Sequence, residues 1–181
     1  MPVTNDLFEV NDTAKKISEE CVQTFHMLVE KLLFMGKIVW PDILTSVAFL
    51  KKRFSQTDVD DEKKLVQLLR YLQGSRDLVL VLDSNGSRVI KCWVDAAFAV
   101  HHDIRFNTGG TVLLGKGVIY STTKKQKLNM KISNEFDLVG VDDLIPQILW
   151  MLYFLWAQRF NVMDNIVYQD NQRSMKLVNH G

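Results

Sequence analysis

The hydrophobic period changes once along this chain, at Arg76, and that change limits the folds open to it. Before Arg76, apolar residues return at three- and four-residue steps, the spacing of helices that bury one face. Ile17, Cys21, Phe25, Leu28, Val29, Leu32 and Leu33 trace one such stripe, with Asp12 as its expected cap. Pro41 opens a second helix at the first turn, where its missing N–H is harmless, and Ile43, Val47 and Leu50 share a face of it. A polar linker, Ser55 to Asp61, leads into a third helix carrying Leu65, Leu68, Leu69 and Leu72, which Gly74 ends. After Arg76 the period becomes two, the mark of strands. The expectation is an α+β protein: a helical unit over 1–76, then a sheet-containing unit over 77–181.

In the second unit, Leu78, Leu80 and Leu82 alternate with Val79 and Val81, and Ser84-Asn85-Gly86-Ser87 supplies a turn with Asn-Gly at its centre. Ile90, Cys92 and Val94 then alternate with Lys91, Trp93 and Asp95. A polar loop, His101 to Asn107, precedes Gly109-Gly110, a strand through Val112 to Leu114, turn glycines at 115 and 117, and a strand through Val118 to Ser121. The last three strands predict an antiparallel meander. A long helix follows, capped by Ser133 or Asn134, running toward Gln158 with Pro146 as a kink. Ile166-Val167-Tyr168 makes a short strand that leads to Asp170, and Gln172 to Val178 begins another helix.

Composition excludes several classes. At 47% hydrophobic and 24% charged, the 181-residue chain has the makeup of a globular protein. Its net charge of +1 confines any nucleic-acid footprint to a local patch. Cys21 and Cys92 make no metal-type spacing and read as reduced thiols, which fits a cytoplasmic or nuclear setting. Asp6, Glu9 and Asp12 interrupt the N-terminus before a signal peptide can form. The most apolar run, Leu144 to Ala157, is 14 residues, short for a bilayer, so a buried core helix and no membrane partner are expected. The dense aromatics of that run, Trp150, Tyr153, Phe154 and Trp156, are expected mainly in the core, with some apolar surface left over.

Three acids stand at the ends of elements: Asp95 on a strand, Glu135 in the first turn of the long helix, and Asp170 just past a strand. A helix packed across a sheet can bring its first turn beside the ends of central strands. Clustered carboxylates suit Mg²⁺, a hard ion that takes oxygen ligands, with Mn²⁺ as the alternative. Two such ions about 4 Å apart activate a water and stabilise the leaving oxygen of a phosphodiester. Asp142 shares a helical face with Glu135 but stands about 10 Å further along the axis, too far to share an ion. Val141-Asp142-Asp143 lies within a helical pattern rather than on a hairpin, so it is no polymerase centre. His101 and His102 are adjacent and read as loop surface.

VDAAFA at 94–99, NTGG at 107–110, STTKKQK at 121–127, the acid in SNEFDLVGVDD at 133–143, and YQDNQ at 168–172 carry a resemblance. The segment from Asp95 to Asp170 resembles the ribonuclease H domain of copia-type LTR retrotransposon polyproteins. MGKIVWPDILTSVAFLKKRF (35–54) and LLRYLQGSRDL (68–78) resemble the connection between the reverse transcriptase and the ribonuclease H of that family. The resemblance implies a ribonuclease H-like mixed sheet behind a helical connection region, and metal ligation by Asp95, Glu135 and Asp170. It implies hydrolysis of the RNA strand of RNA–DNA hybrids, and the reverse transcriptase part of the same polyprotein as a partner. In that family a fourth aspartate lies beyond the helix opened at Gln172. The chain ends before it, so a truncated domain with an incomplete ligand set is the expectation.

Lys124, Lys125, Lys127 and Lys131 make a basic run that would neutralise phosphates without reading bases. Asn107, Thr108 and Gln126 are candidates to contact sugar 2′-hydroxyls, the groups that distinguish RNA from DNA. Two alternatives accompany the nuclease: a non-catalytic remnant that binds nucleic acid, and an interaction module that holds a protein through the aromatic helix.

Overall fold

The computed structural model describes residues 5–83, 86–97, 107–126, 133–171 and 175. The chain divides into two compact units, Met1–Leu80 and Val81–Gly181, each with its own apolar core.

The first unit is helical. Helix α1 (Glu19–Ile38) begins six residues later than a cap at Asp12 would set it, because Ser18 is the cap and its hydroxyl accepts from the Cys21 N–H at 3.4 Å. Glu19 and Glu20 in its first turn and Lys37 in its last complement the helix dipole. Pro41–Ile43 forms a 3₁₀ turn that leads into α2 (Leu44–Lys52). Helix α3 (Val59–Gly74) starts inside what reads as linker: Asp58 and Asp61 cap it reciprocally, each carboxylate accepting a backbone N–H of the other residue. Arg53 seals that cap, donating through Nε to Asp61 at 3.0 Å and through Nη2 to Asp58 at 2.9 Å. Phe25, Val29, Leu32, Val47, Leu50, Leu65 and Leu68 form the core beneath.

Among the described residues, the second unit is a four-stranded mixed sheet with one long helix across it. Strands β1 (Val89–Ala97), β2 (Asn107–Leu114) and β3 (Val118–Lys125) make the expected antiparallel meander. Strand β4 (Asp164–Tyr168) pairs parallel to β1, so the order is β3-β2-β1-β4 with β1 central. Ile90, Cys92 and Val94 point to one face and are buried, as the alternation requires. Helix α4 (Ser133–Ala157) covers that face with Leu144, Ile148, Met151 and Leu152 and runs through Pro146. Glycine allows the close approach. A Cβ on Gly140 would lie 3.3 Å from Val94 Cγ1, and one on Gly110 would lie 3.0 Å from Leu144 Cδ1. This is an α+β unit compatible with a ribonuclease H-like fold.

Three expectations need correction. Residues 78–83 form no strand, and Leu78, Val79, Val81 and Leu82 are exposed. Both edges of β1 are already paired, and Val81 instead lies against Gly117 in the β2–β3 turn, where a Cβ would come within 2.3 Å of the Val81 carbonyl oxygen. The aromatics of α4 are not core: Trp150, Tyr153, Phe154 and Trp156 are exposed, Trp150 and Phe154 stacked at 5.5 Å. Asp137–Ala157, 21 residues containing an 18-residue window of mean hydropathy 1.5, is long and apolar enough to cross a bilayer by length and composition. Here one face of it is packed on the sheet. The helix expected from Gln172 and the loop bearing His101 and His102 lie outside the described residues, Met175 excepted.

Candidate functional site

Strand pairing carries two of the candidate acids to the same end of the sheet. The last β1–β4 pair is Trp93 with Tyr168. Two residues further along each chain stand Asp95, still in β1 and paired with Gly109 of β2, and Asp170, in the bend after β4. Parallel pairing delivers both to the carboxyl end of the sheet, and both are exposed.

Helix α4 runs antiparallel to β1, with Gly140 over Val94 and Thr108 and Leu144 over Gly110. Its first turns therefore lie at the same end of the sheet. Asp137 confirms that placement, since its carboxylate accepts from Asn171 Nδ2 at 2.5 Å, one residue past Asp170. Glu135 belongs to the first turn of this helix; its backbone is described and its side chain is not. Asp95 leaves the sheet on the face opposite α4, as its parity with Trp93 requires, so Asp95 and the first turn of α4 lie at one end of the sheet but on opposite faces of it. Among the described residues, no group of three His, Cys, Asp or Glu side chains gathers as a metal site would require. The oxygen donors at 95 and 170 are of the hard type that Mg²⁺ takes.

The basic and polar candidates divide. Lys124 is exposed on β3 in the row Ala96–Thr108–Lys124, one row beyond Asp95. Lys125 and Asn107 pair across β3 and β2 in the next row. Lys127 and Lys131 lie outside the described residues. Thr108 and Gln126 leave the list of nucleic-acid contacts. Each is 1% exposed, and Gln126 Nε2 donates to Thr108 Oγ1 at 2.9 Å beneath α4. Thr108 shares strand parity with buried Val112, and that parity was the sequence signal for its burial.

Two residues at this end escaped the sequence reading. Asp137 is only 8% exposed although it is an acid, and Asn171 is its partner. Asp137 lies on the helical stripe of Val141, Leu144 and Ile148, a position where an acid signals a buried hydrogen bond. Asp142 and Asp143 sit in α4, exposed and well past its first turn.

No family model matches the chain, and no solved structure matches it. Over 129 residues the chain is 25% identical to a Ty5-1 transposon protein of Saccharomyces cerevisiae. The match takes in 70% of this chain and 42% of that relative, so the chain spans well under half of the relative's length. The chain is accordingly similar to part of a transposon protein.

Proposed function

We propose that the Val81–Gly181 unit is a retroelement-derived, copia-type ribonuclease H-like domain that hydrolyses the RNA strand of RNA–DNA hybrids. The helical unit before it would then be the connection that follows a reverse transcriptase. One observation supports the reading: the parallel β1–β4 pairing ends at Trp93–Tyr168, two residues before Asp95 and Asp170, at the end of the sheet where α4 begins. Asp95, Glu135 and Asp170 would hold Mg²⁺, or Mn²⁺ in its place. The ion, when bound, supplies the Lewis acidity that phosphodiester hydrolysis needs. Lys124, exposed one row beyond Asp95, and Lys125 beside it in sequence would seat the phosphate backbone, joined by Lys127 and Lys131. Such contacts bind any sequence and weaken steeply with salt.

The test is cleavage of a labelled RNA strand within a hybrid by the full chain. Cleavage is expected with Mg²⁺, absent with EDTA, and absent for Asp95→Asn. A wild-type chain that cuts no hybrid overturns the enzymatic reading. In that case, retained salt-sensitive hybrid binding favours a non-catalytic nucleic-acid-binding remnant. A protein partner held on the exposed aromatic face of α4 is the reading if binding too is absent.

A further inference from the structure

Strand β4 meets the sheet on one side only. It is an edge strand of five residues, and none of them is buried. A buried face specifies register strongly, and a strand without one is prone to slip. Yet the register of β4 decides where Asp170 stands. A slip of one residue turns each β4 side chain to the other face, and a slip of two moves the acid about 7 Å along the strand direction.

Two side-chain ties flank Asp170 in sequence. Two residues before it, the Tyr168 ring stacks on Trp93 of β1, with centroids 4.8 Å apart and planes 17° from parallel. One residue after it, Asn171 donates to the buried Asp137 carboxylate of α4 at 2.5 Å. The stack fixes β4 along β1, the strand that bears Asp95. The hydrogen bond fixes the segment after β4 to α4, the helix that bears Glu135. Removing either leaves Asp170 anchored to only one of the two elements whose acids it must meet.

We infer that Tyr168–Trp93 and Asn171–Asp137 are positioning pairs that hold Asp170 in register with Asp95 and beside the first turn of α4. This inference rests on the metal-site reading above. None of the four side chains need touch an ion. Residues that orient metal ligands from behind govern affinity through geometry.

Calorimetric titration of the full chain with Mg²⁺ separates the outcomes. Tyr168→Leu keeps apolar bulk without the ring, and Asn171→Ala removes the amide; each is expected to weaken Mg²⁺ binding about tenfold or more. Tyr168→Phe retains the stack and is expected to bind as the wild type does. Val167→Ala loosens β4 without touching either tie and is expected to leave affinity unchanged. Hydrogen exchange without metal gives an independent readout: the amides of β4 are expected to exchange faster in Tyr168→Leu than in Tyr168→Phe. A wild-type chain that binds no Mg²⁺ overturns the metal reading and this inference with it. A wild type that binds, with Tyr168→Leu and Asn171→Ala binding equally well, overturns the inference alone. So does an equal loss in Val167→Ala, which would make the effect one of strand stability.

Discussion

Arg53 stands between two carboxylates that are almost out of solvent: its side chain is 12% exposed, that of Asp58 4% and that of Asp61 2%. Burial pushes the Asp61 carboxyl above its usual range, against the opposing hydrogen bond from Arg53. The native chain thus holds the Asp61 proton more tightly than the unfolded one. That contribution to stability is fully present below the unfolded pKa near 3.8 and is lost as pH rises through the raised folded value. Arg53→Met leaves two buried acids without their cation and is expected to cost about 3–5 kcal/mol in urea unfolding. Cys92 behaves similarly at the alkaline end. Desolvation pushes its thiol from 9.0 to about 11, so stability is expected to fall as pH rises through that window. In the native protein at neutral pH a thiol reagent is expected to label exposed Cys21 and to reach buried Cys92 only on unfolding. Residue identity alone could not give these results, because the partners of Asp61 and the burial of Cys92 come from packing.

Elements were legible where the hydrophobic period is clean. The alternation around Cys92 gave β1 and its buried face, and the stripes through Val29 and Leu68 gave α1 and α3. The run at 78–82 misled because every residue in it is apolar, so no polar face marks a strand, and the sheet has no central place left for it. Ser18 displaced Asp12 as the cap because cap choice among polar residues depends on where the chain enters the core. Helix α4 was legible in extent but not in facing, since apolar residues surround it. Its two sides should answer differently to substitution. Leu144→Ala, at the buried contact with Gly110, is expected to cost about 2–5 kcal/mol. Trp150→Ser, on the exposed side, is expected to change stability by no more than about 0.5 kcal/mol. Thermal or urea unfolding of the two variants decides whether α4 is seated as described.

At the scale of the whole chain, two units with separate cores lie within one chain that is similar to part of a transposon protein. Spacing and element order were enough to nominate Asp95, Glu135 and Asp170, but not to say that they meet. The pairing that carries Asp95 and Asp170 to one end of the sheet joins segments 75 residues apart in parallel, which no local pattern encodes. The polar residues Thr108 and Gln126 show the converse, an apparent surface that packing turned inward. A folded-state site that binds an ion stabilises the fold by mass action. The melting temperature of the full chain, with and without millimolar Mg²⁺, therefore tests most directly whether these acids form one site. Mg²⁺ is expected to raise the melting temperature of the wild type and to leave those of Asp95→Asn and Asp170→Asn unmoved. An unchanged wild type, or an equal rise in all three proteins, would contradict that expectation.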